Sequence, residues 1–205
     1  MTVITLRQFT PLIGKRKLCE ERVRKAGKIF ENNGAKIRIG RIIAGDSANN
    51  LLLFGAFENF AKLGEHREKM SVEPSLMRLQ EERDADPGST MLGPDVYSTV
   101  YGDVAEGYNS VLYREYNVQR ENLSKLVNII PEIEKINENI DYKIIAAVPV
   151  ISSNLGRMIV GYYFRSMSDL GAGIDGARQS EAFQEIVLRA NQLGTLSNSR
   201  VVAII

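Results

Sequence analysis

Two stretches of similar character, TVITLRQF at residues 2–9 and VLYREY at residues 111–116, decide the fold. The first alternates apolar with polar residues and is rich in β-forming residues, a pattern typical of a half-buried β-strand, and the second is predicted to be the equivalent strand. Arg7 lies 107 residues before Arg114, and Phe9 lies 107 residues before Tyr116. A repeated pattern at a fixed offset indicates repeated structural units. The chain is therefore expected to contain two copies of one unit.

The other elements predicted from hydrophobic periodicity follow the same offset. For the first half the predicted strands are 2–9, 35–44, 51–57 and 96–101, and the predicted helices are 15–32, 59–70 and 74–85. For the second half the predicted strands are 111–116, 142–151, 158–164 and 200–205, and the predicted helices are 123–136, with a kink at Pro131, and 180–193.

This order of elements is the ferredoxin-like β-α-β-β-α-β motif, used twice. Both faces of each four-stranded antiparallel sheet carry apolar residues, so both faces need to be covered. We therefore predict an α+β fold in which two tandem ferredoxin-like repeats pack their antiparallel sheets into one α/β barrel, with the helices outside. The predicted halves are residues 1–104 and 105–205.

The charge balance and the cysteine content exclude several classes of protein. The chain has 26 basic and 25 acidic residues, a net charge of +1, which predicts neither a nucleic-acid partner nor a membrane partner. Its single cysteine, Cys19, is typical of a reducing compartment. The lack of a signal-type or membrane-length apolar stretch adds to the expectation of a cytoplasmic protein. No zinc-binding spacing occurs, so no metal site is expected.

The first strand ends in Leu6-Arg7-Gln8-Phe9-Thr10 and is followed by Gly14-Lys15. These short motifs resemble the start of the NIPSNAP-type domains of the dimeric α/β-barrel superfamily. The acidic–proline pair Glu73-Pro74 also follows Phe57 at a similar spacing, although the tryptophan of that family is missing. The resemblance implies the barrel fold. It leaves the function open, because the superfamily includes cofactor-independent monooxygenases, haem-degrading enzymes and isomerases.

Arg7 and Arg114 are the strongest candidates for ligand-binding residues. If the neighbouring apolar residues of their strands face the helices, both guanidinium groups point into the barrel. A guanidinium there needs a carboxylate or an anionic ligand. Glu115 is a candidate internal partner, and an internal salt bridge is favoured over an anion site.

Tyr116, Tyr162 and His66 are further candidates. The two tyrosines are consistent with barrel packing or with a pocket for a flat apolar ligand. His66 is the only histidine, so it is the one candidate for a catalytic group, a haem ligand or a clamp on a substrate. Its charged neighbours in the sequence favour a position at the surface instead.

The segment from Gly171 to Gly176 matches the G-x-G-x-x-G pattern. A dinucleotide site needs this pattern between a strand and a helix of a parallel sheet, whereas the sheet predicted here is antiparallel. The segment is therefore expected to form a flexible lid or a weakened helix.

Three functions remain open. The first is a protein without a cofactor that binds a small anionic or flat apolar ligand in the barrel or cleft. The second is a cofactor-independent monooxygenase or a haem-degrading enzyme, with His66, Arg7 and Arg114 at its cleft. The third is a protein that self-associates through exposed strand edges and helix faces. The chain itself is expected to be a monomeric pseudo-dimer or to form a homodimer.

Overall fold

The computed structural model of the protein describes residues 1–103, 106–136 and 140–205. The predicted boundary between the halves, at residues 104 and 105, lies outside the described residues. The first half contains β1 (Val3–Pro11), α1 (Arg16–Asn32), β2 (Lys36–Gly45), β3 (Leu51–Phe57), α2 (Phe60–Ser71), α3 (Pro74–Ala85) and β4 (Ser89–Tyr101). The second half contains β5 (Ser110–Val118), α4 (Leu123–Glu134), β6 (Tyr142–Ile151), β7 (Arg157–Phe164), α5 (Met167–Gln179), α6 (Glu181–Asn191) and β8 (Gly194–Ile204).

The eight strands form a closed antiparallel barrel in the order β1-β3-β2-β8-β5-β7-β6-β4. In each half the first strand lies between the third and the fourth strands, as in a ferredoxin-like sheet. The predicted fold class is therefore confirmed. Pairing of β2 with β8 and of β4 with β6 joins the two sheets. Because each strand pairs with two neighbours, the expectation of exposed strand edges for self-association is wrong.

Corresponding helices of the two halves begin 107 residues apart. The pairs of first residues are Arg16 and Leu123, Phe60 and Met167, and Pro74 and Glu181. Helix α5 contains the whole glycine-rich segment from Gly171 to Gly176, so a helix forms there and the lid interpretation is wrong. A reciprocal cap starts this helix: Ser166 accepts a hydrogen bond from the backbone of Asp169, whose carboxylate accepts one from the backbone of Ser166.

Three large apolar clusters make up most of the core. One lies in the barrel interior, and one lies between the sheet and the helices in each half. The interior cluster contains the buried residues Ile42, Leu52, Tyr97, Val111, Tyr113, Ala147, Ile159 and Val202. Alternate strand residues thus face the barrel and the helices. Among the described helices, none is both long and apolar enough to cross a membrane.

Candidate functional site

Arg7 and Arg114 lie on the helix-facing side of the sheet. The partly buried Ile4 and Leu6 and the buried Val111 and Tyr113 belong to the interior cluster. Because successive side chains of a strand point to opposite faces, Arg7 and Arg114 point away from the barrel. The prediction that both enter the barrel is therefore wrong. The predicted alternation of side chains along these strands is correct, but the barrel face and the helix face were exchanged. The sequence does not distinguish them, because both faces of the sheet are apolar.

Glu115 does lie inside the barrel, but its partners are other arginines. Its carboxylate binds Arg200 at 2.8 Å and Arg157 at 3.5 Å. The expected internal salt bridge therefore exists without Arg7 or Arg114.

A cavity of about 350 Å³, here called the first cavity, lies between β1, β3 and the helices of the first half. Most of its walls are apolar. Its basic lining residues are Arg7, Arg22, His66, Arg67 and Arg83, and no aspartate or glutamate of the described part of the chain lines it. A cleft lined by positive charge attracts anions.

Arg7 is the cation at the base of the first cavity. Its Cζ lies 4.9 Å from the centre of the Phe30 ring. Among the described residues, no ion pair includes Arg7. Burial, and then the positive charge of Arg67, lower the pKa of Arg7 to about 10, so the guanidinium stays charged at neutral pH. An anion bound beside it would offset the charge that the described protein groups leave unpaired.

A β-bulge in β4 shapes the wall opposite Arg7. Leu6 pairs with Asp95 and Gln8 pairs with Leu92, so Gly93 and Pro94 together oppose Arg7 alone. Gly93 has a φ of 89°, and a Cβ there would lie 2.6 Å from the Leu6 carbonyl oxygen. Only glycine suits this position, and the bulge places Pro94 in the cavity lining.

His66 is buried, with 8% of its surface exposed, so the predicted surface position is wrong. It shares the inward face of α2 with Leu63 and Met70, while its charged neighbours in the sequence mostly face outward. The ring centre of Phe57 lies 5.1 Å from that of His66. The face of the helix, rather than the nearest residues in the sequence, decides the burial.

The protonation of His66 follows from its contacts. Nδ1 lies 3.2 Å from the carbonyl oxygen of Asn33, which can only accept, so Nδ1 carries the hydrogen. Burial is the largest effect and lowers the pKa of His66; Arg7 and Arg67 lower it further, against the opposing effect of the Asn33 carbonyl. The ring is therefore neutral at neutral pH, and Nε2 is free of a proton and able to accept one.

Sequence reasoning missed the cavity residues that the helices contribute. Arg67 lies four residues after the buried Leu63 on α2, and Arg83 lies four residues after the buried Leu79 on α3, so each is beside the apolar face of its helix. Arg67 is exposed and Arg83 is half-buried. A basic residue at such a spacing is a signal that could have been found. Arg22 has a different role, because it donates to the Glu82 carbonyl oxygen at 2.9 Å, near the end of α3.

The equivalent cavity of the second half is much smaller, about 70 Å³. Arg114 lies over the ring of Tyr162, with Cζ 5.6 Å from the ring centre, and Tyr162 is hydrogen-bonded to Tyr116. Arg114 and Tyr162 line this smaller space. The ligand role of Arg114, Tyr116 and Tyr162 stays a prediction.

The first cavity fits a haem poorly. Its volume of about 350 Å³ is at the lower end of the range for small-molecule sites. A porphyrin with its propionates is larger than the ligands that such a volume encloses. The ring of His66 also packs against Phe57 and Phe30, which would have to move for a macrocycle to reach it. No group of histidine, cysteine and acidic side chains among the described residues is arranged to hold a metal ion.

No known family model and no curated protein sequence matches the chain. Solved structures do match its fold. An anthrone oxidase-like protein has a TM-score of 0.67 at 13% identity, covering 100% of this chain and 91% of that one. A proposed monooxygenase from Lactobacillus acidophilus has a TM-score of 0.64 at 10% identity, covering 100% and 93%. A variant of the chlorite dismutase from Candidatus Nitrospira defluvii, in complex with cyanide, has a TM-score of 0.58 at 11% identity, covering 100% and 90%.

At identities this low, the structural similarity shows a shared fold and does not show a shared activity. The chain thus shares the ferredoxin-like α+β fold with monooxygenase-like and chlorite dismutase-like proteins.

Proposed function

We propose that the first cavity binds a small, mainly apolar molecule that carries one anionic group, with Arg7 as its counter-ion. The single observation that carries this proposal is the charge of Arg7. Its guanidinium is largely removed from water and has no carboxylate partner among the described residues. A charge in that position is costly without a partner.

The walls support the second part of the proposal. Phe9, Val23, Phe30, Leu53 and Leu79 line the cavity and suit an apolar body, such as an aromatic ring. All lining residues lie between Arg7 and Pro94, so one half of one chain builds the whole site. A monomeric pseudo-dimer is therefore sufficient for binding.

A second candidate function is oxygenation of such a ligand without a cofactor, and the neutral His66 favours it. His66 and Arg7 line the same cavity, and Arg7 is one of the charges that lower the histidine pKa. Nε2 could take a proton from an acidic CH₂ group, and Arg7 would stabilise the resulting anion. Reaction with O₂ would convert the CH₂ group to a carbonyl, with one oxygen atom in the product and the other in water.

Binding is tested by titration calorimetry with naphthoate and its neutral counterpart naphthamide. Wild-type protein should prefer naphthoate, and Arg7→Met should weaken naphthoate binding at least about tenfold, because a hydrogen bond to a charged group is lost. Arg114→Met is the matched control and should leave binding unchanged. Equal loss in the two variants, or no loss in Arg7→Met, would contradict the proposal.

Oxygenation is tested by O₂ uptake with anthrone as the probe, corrected for its spontaneous oxidation. His66→Ala should slow the catalysed rate about 100-fold or more, as expected for loss of a general base. Arg7→Met should also slow it, whereas Arg114→Met should not. Absence of uptake with naphthoate binding intact would leave the protein as a binding protein.

We also propose that the NIPSNAP-like start of the chain has a role in this site. Its motif includes Arg7 and Phe9, both of which line the first cavity. Membership of that family stays a prediction.

A further inference from the structure

The barrel interior contains two regions of opposite character. Near the end where β1 and β5 finish, Glu115 binds Arg200 and Arg157, and Arg157 also binds Asp95 at 2.6 Å. Gln8 accepts a hydrogen bond from Arg200 at 3.1 Å. This network occupies that end of the barrel with paired charges.

The opposite end, where β1 and β5 begin, contains a cavity of about 420 Å³, here called the barrel cavity. Its inner wall is made by Ile4, Phe54, Val111, Tyr113, Tyr163, Val202 and Ile204. Its charged lining residues are two acidic and two basic, namely Glu31, Glu106, Lys36 and Arg38. Since Glu31, Glu106 and Lys36 are exposed, they lie at the mouth. The barrel cavity therefore lacks the excess of positive charge found in the first cavity.

Tyr113 is the most buried polar residue of this wall, and the Arg200 guanidinium of the charged network lies over its ring, with Cζ 5.7 Å from the ring centre. Tyr113 is 4% exposed, and its hydroxyl has no hydrogen-bond partner among the described residues. Burial raises the pKa of this tyrosine well above its usual value, so the hydroxyl stays protonated and is a donor. Buried polar groups in native proteins nearly always have a partner, and an unmade bond is costly. A molecule in the barrel cavity could supply the missing acceptor.

We propose that the barrel cavity is a second binding site, for an uncharged and mainly apolar small molecule whose one oxygen accepts a hydrogen bond from Tyr113. The volume is within the range of small-molecule sites, and mouths of β-barrels are common places for them. Charges of both signs at the mouth favour neither an anion nor a cation. This site is independent of the proposed anion site, because the two cavities lie on opposite faces of the sheet.

The test compares acetonaphthone, an aromatic ketone, with ethylnaphthalene, which lacks the oxygen. Tyr113→Phe should weaken acetonaphthone binding about fivefold, the usual value of one neutral hydrogen bond, and leave ethylnaphthalene binding unchanged. Ala56→Trp, at a partly buried lining position, should block the cavity and abolish binding of both compounds. Arg7→Met should change neither affinity.

Methyl-labelled NMR spectra locate the bound compound. Acetonaphthone should shift the methyl signals of Val111 and Val202, which face the barrel cavity. Shifts confined to Val23 and Leu79 would place the compound in the first cavity and overturn the proposal. Equal acetonaphthone affinity in wild-type protein and Tyr113→Phe would also overturn it, because the hydroxyl would then bind only water.

Discussion

The helix-facing cavities of the two halves have the same backbone plan and very different contents. Each has an arginine at the same position of its first strand, lying over an aromatic ring. The first cavity measures about 350 Å³ and its counterpart in the second half about 70 Å³. The comparison teaches that a repeated fold duplicates positions without duplicating a site.

The residues at equivalent positions explain the difference. Tyr162 and Tyr142 of the second half correspond to Gly55 and Ala35 of the first, so two aromatic rings fill space on the helix-facing side of one sheet only. The ring of Tyr142 stacks on Phe164 at 5.4 Å. Side-chain volume on one face of the sheet therefore decides the size of the cavity in each half.

The position of His66 shows the same contrast. Its counterpart in the second half is Gly173, and a Cβ at Gly173 would lie 2.7 Å from Cε1 of Phe164. The second half thus has no space for a histidine there. In the first half His66 packs beside Phe57, the counterpart of Phe164.

The largest expected effect comes from a matched pair of truncations. Leu79 and Ile186 occupy equivalent positions of α3 and α6, and both are buried. Ile186→Ala should lower the free energy of unfolding by about 4 kcal/mol, and Leu79→Ala by about 2 kcal/mol. Leu79 already borders the first cavity and so has fewer packing contacts to lose. Urea unfolding measures both, and equal losses would contradict the difference in packing.

Substitutions at two glycines of α5 should have smaller effects on stability, and the two effects should differ in sign. Gly173→Ala should destabilise the protein by about 1–3 kcal/mol, because the new methyl group meets the Phe164 ring. Gly171→Ala should stabilise it by about 0.5–1 kcal/mol, because no atom lies within 4 Å of that Cβ and alanine favours the helix. Thermal unfolding measures both variants. Stabilisation by Gly173→Ala would show that the second half is less tightly packed than its cavity volume indicates.

The smallest effect is the pH dependence that His66 gives to the first half. Since its pKa is lowered by folding, the unfolded chain binds a proton at higher pH than the folded protein does. The contribution of the neutral His66 ring to the free energy of unfolding is therefore complete above the unfolded pKa of about 6.5. It decreases as the pH falls through the folded pKa. The midpoint of urea unfolding should therefore decrease more between about pH 7.5 and pH 5 in wild-type protein than in His66→Leu.

His66 is the only histidine, so this comparison isolates one group. Parallel pH curves for the two proteins would show that the ring is not desolvated. Naphthoate bound beside Arg7 should reduce the difference, since an anion favours the charged imidazole.

Much of the secondary structure could be predicted, and the orientation of the sheets could not. The predicted strand 51–57 and helix 74–85 match β3 and α3 in both bounds. Helix α5 was predicted only as one of two alternatives, a flexible lid or a weakened helix, because its glycines weaken the periodic signal. The cap formed by Ser166 and Asp169 was present in the sequence and favours the helix. The face occupied by Arg7 was assigned wrongly because period-two alternation does not say which face is inside.

The sequence by itself determined the number, type and order of most elements, since periodicity and turn residues act over a few neighbouring positions. It also placed Arg7 and Arg114 at equivalent points of the two halves. Only the tertiary structure decided which of these two arginines lies beside an open cavity, that His66 is buried, and that Glu115 pairs with Arg157 and Arg200. These features depend on volumes and charges that residues distant in the chain bring together, which no local pattern encodes.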